Sequence, residues 1–419
     1  MELLINLIPI AIILVVLIFW RRHMLFAGLL GAVVAMLIGQ IALGDAVGMV
    51  TGGISTMFSY TAPILYAAAA VMVSQAGCFK AIVNIAQKKL KKKIFLFAAF
   101  MVLVQSLATY MAGMGAGNTM VSAPLVFVAV GAIPEVIAGM AIATAACFTT
   151  SPASTETVLA AEAAAVDVGK HAANMMPLTL IMVLLGAALA GYGVYKKGSL
   201  LVEAANPEGE DAEEEEIRRP GVRMIPAIAL LLLVILGGKI NGLLNVHIFS
   251  PVVNVLITAI LTAALTPLGI NKTCDALGEG SKYILTTLFS VGIFLGFINI
   301  IAALGTFEQL AALVGMAPQI IIVPCAIIMA FLIAIPSGAM CAGVLALILP
   351  TMSLLGMPSA SMGMVAIAAG LGTQVSPVQI NIAALSDGFQ VDIMTIVKNN
   401  MKSVLIVLAV LIVASFIFV

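Results

Sequence analysis

Two Ser-Pro pairs, Ser151-Pro152 and Ser376-Pro377, interrupt otherwise apolar stretches. Proline removes a backbone donor, so each pair breaks a helix. A short helix restarted beyond it turns bare N–H groups and a positive dipole end inward. Upstream of each pair lies a run rich in Gly or Pro: Gly113-Met114-Gly115-Ala116-Gly117-Asn118-Thr119 and Pro336-Ser337-Gly338-Ala339-Met340. The chemistry such groups do is recognition rather than bond making. Amides, hydroxyls and carbonyls converging in the membrane make a cage for a small anion with co-bound cations. Gly117, Asn118, Thr119, Ser151, Ser154, Ser337, Gly338 and Ser376 are the candidate anion donors, through N–H and O–H. Thr150, Glu156, Thr373 and Asn381 are the candidates for cation coordination or proton coupling. Glu156 leads that group because an ionisable residue in an apolar stretch is a functional candidate. Its plainer role is to cap the new half-helix. No Lys or Arg lies near the breaks, so an anion there needs dipoles, cations or protons to balance it.

Other polar residues carry less. Asp167 and Asp392, and Asn174 and Asn399, fit helix capping or loop contacts. Glu162 is expected to be solvated, and His171, Lys170 and Lys398 to be exposed near the interfaces. His23 and His247 belong to loops. Cys78, Cys147, Cys274, Cys325 and Cys341 are scattered, without metal-ligand spacing, and are expected as small packing residues. No nucleophile and base can be paired, and no Walker loop or metal cluster is apparent, so the chain is not expected to be an enzyme. No cofactor is expected beyond Na+ or H+ as a coupling ion.

The elements that must position these groups are membrane helices. Of 419 residues, 63% are hydrophobic and 9% charged, with a mean hydropathy of +1.21. An ordinary soluble domain is about 25% charged, so a water-soluble fold is excluded. The 19 basic and 19 acidic residues cancel, leaving no field to attract nucleic acid. Met1 to Trp20 lacks the positive start and cleavage site of a secretory leader and is expected to be a first span. Apolar runs predict spans near 3–20, 24–43 and 58–77, a broken stretch over 94–131, an interrupted span over 136–165 and a span over 175–195. The order then recurs at 224–238, 249–269 and 281–302, broken over 317–350, interrupted over 360–385, and 399–419.

Residue identities follow the same recurrence. A shift of 225 lays Ser151-Pro152 on Ser376-Pro377, Val166-Asp167 on Val391-Asp392, Asn174 on Asn399 and Gly113 on Gly338, with Pro134 one residue out of step with Pro358. Solenoid units repeat about every 20–50 residues, so this is a duplicated membrane half. Irregular backbone is tolerated in lipid only where it is packed in protein or lines a cavity. One break alone would be a kink; four placed symmetrically point to a binding site.

Basic residues set the orientation. Arg21-Arg22, the lysines of 88–93, and Lys196, Lys197, Arg218, Arg219 and Arg223 are all expected on the cytoplasmic side. With 94–131 returning to its own side, the first half crosses an odd number of times. The second half is then inverted and both termini lie outside. The expected fold class is an all-α polytopic membrane protein of two inverted-topology repeats, with about ten transmembrane helices plus two re-entrant hairpins and helices broken at Ser-Pro. Residues 1–197 form the first repeat, with spans 3–77 as scaffold and 94–195 as hairpin and broken helix. Residues 198–222 form an acidic cytoplasmic linker, and 223–419 the second repeat, divided into 224–302 and 317–419. The linker is expected to be flexible and solvated, and the lysine run to mark topology rather than to bind anionic lipid.

At Thr144 to Pro177, TAACFTTSPASTETVLAAEAAAVDVGKHAANMMP, the chain resembles the anaerobic C4-dicarboxylate carrier (DcuC-like) family of the ion transporter superfamily. The family pattern is similar in its Ser-Pro break, an acidic residue four positions after the proline, a Val-Leu-Ala-Ala run and a later aspartate. Here these are Ser151-Pro152, Glu156, Val158 to Ala161 and Asp167. Leu371-Gly372-Thr373-Gln374-Val375-Ser376-Pro377-Val378 resembles the family's Leu-Gly-x-x-x-Ser-Pro-Val. Two departures stand out. The family pattern resembles aspartate at Glu156, and a Thr-Gly-Ser-Gly tip where this chain has Pro336-Ser337-Gly338-Ala339. The resemblance implies a homodimer in the cell inner (plasma) membrane, joined through its scaffold spans, with a mobile transport domain and elevator-type movement. The function expected is secondary transport of small carboxylates, C4-dicarboxylates such as succinate, fumarate or malate, by exchange or Na+/H+ coupling. The alternatives are a Na+/H+ antiporter of the same superfamily, in which Glu156 binds the transported cation, and a non-transporting membrane scaffold or sensor.

Overall fold

Apolar runs too long for a soluble core, punctuated by Gly, Pro and short polar turns, fold into helices throughout the computed structural model. It describes residues 5–20, 22–90, 93–197, 220–246, 248–338 and 340–418. Arg21, Lys91, Lys92, linker residues 198–219, His247 and Ala339 lie outside the described residues, as do the side chains of Lys88 and Lys89.

The first half begins with α1 (Ile8–Ile18), α2 (Met24–Gly39), α3 (Leu43–Ser59), α4 (Thr61–Gln75) and α5 (Cys78–Leu90). It continues with α6 (Ile94–Ala112), α7 (Ala116–Val130), α8 (Pro134–Thr150), α9 (Thr155–Ala163) and α10 (Val168–Lys197). After the short α11 (Pro220–Arg223) come α12 (Ile225–Leu244), α13 (Pro251–Leu265), α14 (Gly269–Ala302) and α15 (Thr306–Val314). The chain ends with α16 (Gln319–Ser337), α17 (Cys341–Leu354), α18 (Ser359–Thr373), α19 (Ile380–Phe389) and α20 (Ile393–Phe418).

Among the described residues, six helices are long and apolar enough to cross a membrane, or up to eight if each bent pair counts as one span. The bent pairs are α3 with α4, at 50°, and α8 with α9, at 51°. The chain is therefore an all-α polytopic membrane protein, and the interruption expected within 136–165 is present. Five helix starts in the second half fall 225 residues after those in the first: Gln319 after Ile94, Cys341 after Ala116, Ser359 after Pro134, Ile380 after Thr155 and Ile393 after Val168.

Several sequence expectations need correction. The spans expected from 58 and 281 begin much earlier, at Leu43 and Gly269. Their early turns hold Gly44, Asp45, Gly48 and Gly52, or Asn271, Lys272 and Asp275, all exposed. Polar or small residues on an open helix face do not end a helix that is held from its other side. Here that side is the α3–α14 contact, where a Cβ on Gly53 would stand 2.5 Å from the backbone nitrogen of Gly296. Small residues let helices approach this closely. Asn174 and Asn399 lie two turns inside α10 and α20, both exposed, and cap nothing. The aspartates cap instead: Asp167 accepts from the Lys170 amide at 3.0 Å and Asp392 from the Thr395 amide at 3.1 Å. His171 is fully buried rather than exposed, its Nδ1 2.7 Å from Ser359 Oγ. Of the cysteines, Cys78, Cys147 and Cys341 are buried, but Cys274 and Cys325 are exposed and do not pack inside the chain. Glu162 is exposed but not merely solvated, because it accepts a hydrogen bond from the hydroxyl of Tyr60, the residue at the α3–α4 bend.

The packing of the interrupted segments is reciprocal. Half-helix α9 of the first half packs on α17, the arm leaving the second tip. Half-helix α19 of the second half packs on α7, the arm leaving the first tip. Helices α8 and α18 lie against one another, with a Cβ on Gly370 2.7 Å from Thr149 Cγ2.

Candidate functional site

The site is assembled by the four interruptions. The first tip turns at Gly113, the second at Gly338, with φ of +67° and +58° in the left-handed region that glycine adopts without strain. Helix α8 stops at Ser151, where the backbone becomes extended and Pro152 cannot continue the ladder. Ser154 then caps α9, accepting from the Thr157 amide at 3.1 Å. In the second half α18 ends at Thr373, and α19 begins after Gln379, whose Oε1 accepts from the Ile380 amide at 2.8 Å. Ser151 and Ser376 are fully buried, whereas Pro377 and Val378 after Ser376 are exposed, so the first break lies inside protein and the second at its surface.

A cavity of about 60 Å³ opens between these pieces, walled by the first tip, by Cys341 at the start of α17, by both half-helix starts and by α8 and α14. A water needs roughly 10–15 Å³ on this measure, so the space holds several water-sized groups. Its polar wall comprises Glu156, Gln374, Gln379, Asn381, Thr144, Thr155 and Thr287. Among the described residues no Lys, Arg or His lines it, and Cys341 faces it beside Glu156. Glu156 and Asn381 are each the second residue of their half-helix, 225 positions apart, so repeat-equivalent residues meet in one cavity.

A chain of side-chain hydrogen bonds runs behind this wall and joins the halves. Gln105 Nε2 donates to Thr119 Oγ1 and to Thr144 Oγ1, both at 2.8 Å. Thr119 donates to Asn381 Oδ1 at 2.6 Å, Asn381 Nδ2 to Gln374 Oε1 at 2.6 Å, and Gln374 Nε2 to Thr373 Oγ1 at 3.0 Å.

Of the residues singled out by sequence, Glu156 and Asn381 line the cavity, and Thr119 and Thr373 belong to the chain behind it. The others stand further back. Ser151 donates to the Tyr110 carbonyl, tying the first break to α6. Ser154 is engaged in capping, and Thr150 pairs with Thr179 of α10 at 2.8 Å. Ser337 donates to the Ile333 carbonyl at 2.6 Å, and half-buried Asn118 to the Met114 carbonyl at 3.2 Å. Ser376 accepts from the Val378 amide at 3.4 Å, and Gly338 packs against Val378. Gly117 lies in the first turn of α7. Sequence reasoning did not select Gln105, Thr144, Thr155, Gln374 or Gln379. Gln374 and Gln379 flank the second Ser-Pro, and Gln105 is a lone carboxamide in the apolar run of α6, signals that a search for buried amides would have found.

Among the described residues no group of three His, Cys, Asp or Glu side chains is placed to hold a metal ion. Residues 64–419 match the family model described as DcuC: C4-dicarboxylate anaerobic carrier. No curated protein matches the chain.

Proposed function

The chain belongs to the C4-dicarboxylate anaerobic carrier family and performs secondary transport of C4-dicarboxylates across the inner membrane, and we propose that it does so as two inverted repeats closed around one anion site. Ten crossings result when the bent or interrupted pairs α3–α4, α8–α9 and α18–α19 each count once, beside α1, α2, α10, α12, α13, α14 and α20. In this arrangement α6–α7 and α16–α17 re-enter and return. The basic loops lie in the cytoplasm with the linker 198–222, both termini lie outside, and the protein works as a homodimer through its scaffold spans.

The observation that carries this proposal is the meeting of Glu156 and Asn381 in one cavity from equivalent positions. A C4-dicarboxylate brings two negative charges, and a charge taken out of water must be matched. The N-terminal ends of α9 and α19 supply partial positive charge, and the carboxamides and hydroxyls supply donors. Among the described residues of the wall Glu156 is the one carboxyl, so it would take up Na+ or a proton together with the anion. Thr150, Thr373 and Asn381 are the further proposed cation ligands. Gly117, Asn118, Thr119, Ser151, Ser154, Ser337, Gly338 and Ser376 remain the proposed anion donors, through direct N–H or O–H contact when the tips close. Bound anion and cation would then cross together as the segment of tips and half-helices slides past the scaffold.

Uptake of isotope-labelled succinate into proteoliposomes, under imposed Na+ or proton gradients, tests this proposal. Accumulation that follows one of the gradients supports it. No uptake or exchange under either gradient, with cation-dependent proton flux intact, overturns it in favour of an antiporter.

A further inference from the structure

Gln105 is 2% exposed in the middle of α6 and does not line the cavity. It nevertheless ties three helices together. Its nitrogen donates to Thr119 of α7 and Thr144 of α8, and its oxygen lies 3.2 Å from Ser122 Oγ, whose nearer acceptor is the Asn118 carbonyl at 2.9 Å. A carboxamide has two donor hydrogens and one acceptor oxygen, and with both hydrogens of Gln105 given to threonine hydroxyls its nitrogen faces Thr119 and Thr144.

That orientation propagates. Because Thr119 Oγ1 receives a hydrogen from Gln105, its own hydrogen is free to be given away. The nearer acceptor is Asn381 Oδ1 at 2.6 Å, against 3.1 Å for the Gly115 carbonyl. With its oxygen held on the side of Thr119, Asn381 turns its nitrogen towards Gln374, which itself lines the cavity. One N–H is spent on Gln374 and the second is left for an anion. Reversing the Asn381 amide would set its oxygen against Gln374 Oε1 and present an acceptor to the anion.

We propose that Gln105 is a positioning residue for the dicarboxylate site: acting through Thr119, it fixes the Asn381 carboxamide so that a donor, not an acceptor, meets the substrate. This rests on the carrier assignment above and deepens it: Asn381 becomes a substrate donor rather than a cation ligand, and Thr119, its hydrogen spent on Asn381, acts through that residue rather than as a direct anion donor.

The test is succinate uptake by reconstituted Gln105→Met, Thr119→Val and Asn381→Ala proteins and the Gln105→Met/Asn381→Ala double variant, with thermal melting of each. Gln105→Met keeps the volume and removes the hydrogen bonds. Thr119→Val cuts the link to Asn381 while leaving Gln105 bonded to Thr144. Both are expected to raise the KM for succinate about tenfold, equivalent to ~1.4 kcal/mol, with the maximal rate within about twofold of wild type. The double variant is expected to be no worse than Asn381→Ala alone, because Gln105 acts only through that residue. Thr119→Ser, which keeps the hydroxyl, is expected to retain the wild-type KM. An unchanged KM in Thr119→Val, or losses that multiply in the double variant, overturns the proposal. A wild-type protein that takes up no succinate overturns the carrier assignment instead, a result distinct from any pattern among the variants.

Discussion

Gly113 lies so close to Ala153 that a Cβ placed on it would stand 2.2 Å from the Ala153 carbonyl oxygen. The contact recurs in the second half, where a Cβ on Gly338 would stand 2.5 Å from Val378 Cγ2, each partner 225 residues on. Each tip therefore rests on the break of its own half, and the two interruptions of a half form one contiguous patch of irregular backbone.

The two contacts differ in what would have to yield. Alanine at Gly113 meets a left-handed backbone costing roughly 1–2 kcal/mol and abuts rigid main chain, whereas Gly338, at φ +58° and ψ −111°, holds a positive-φ turn conformation dominated by glycine and abuts the Val378 side chain and carbonyl. Gly113→Ala is expected to lower the melting temperature and reduce succinate uptake more than tenfold, roughly 1.4 kcal/mol or more. Gly338→Ala is expected to lower both measures as well, through its backbone conformation and the Val378 contact. Wild-type melting and uptake in both variants would show that the tips do not bear on the breaks as described.

Glu156→Gln keeps the size of the side chain and removes its charge. Under the proposed coupling, exchange of internal for external succinate persists, while accumulation driven by a Na+ or proton gradient disappears. Glu156→Asp keeps the charge, one methylene shorter, and is expected to retain gradient-driven uptake. Proteoliposomes with and without internal succinate separate the two activities. A glutamine variant that still concentrates succinate would remove Glu156 from the coupling step.

Asn381→Asp places a second carboxylate in the cavity opposite Glu156, with no basic side chain there to balance it. Two nearby carboxylates cannot both remain ionised cheaply. Succinate affinity, measured by ligand-induced thermal stabilisation, is expected to fall by at least about tenfold, near 1.4 kcal/mol, and to recover in part at lower pH as one carboxyl takes up a proton.

Tyr60→Phe deletes the hydroxyl that bonds Glu162 and little else. A hydrogen bond of this kind contributes about 0.5–1.5 kcal/mol, so melting is expected to shift only slightly. The transport rate is expected to change several-fold while the succinate affinity stays put, because the bond links α9 to the α3–α4 bend rather than to the cavity. Parallel uptake and binding measurements check this.

Much of the architecture could be read from sequence because the breaks are written in residues with strong backbone effects. Ser151-Pro152, Ser376-Pro377, Gly113 and Gly338 each force an interruption, and all four interruptions are present where the spacing placed them. The 225-residue shift located Asp167 and Asp392 as paired caps for the same reason, since a short side chain before a helix has few other roles. The site's wall was harder to read. Whether a hydroxyl faces a cavity or its own preceding turn depends on helix rotation, and Thr150, Ser337 and Ser154 all turned to local backbone partners. Gln105 and Gln374 are linked only through the Thr119–Asn381 contact, whose residues stand 262 positions apart. Such pairings follow from the packing of α7 on α19 and leave no local trace. His171 misled because its neighbour Lys170 is exposed, while its own face of α10 turns inward towards Ser359.

The hydrogen bond from Tyr60 to Glu162 has no twin. The positions 225 residues on are Leu285 and Asp387, and α14 passes Leu285 without interruption. Two identical halves set head to tail would leave such a carrier indifferent to which compartment it faces. Under the proposed inverted arrangement, a tether belonging to one half alone would end that indifference and give the empty protein a preferred resting side. The direction in which dicarboxylate is more readily captured would then depend on a single phenol as well as on the gradients across the bilayer.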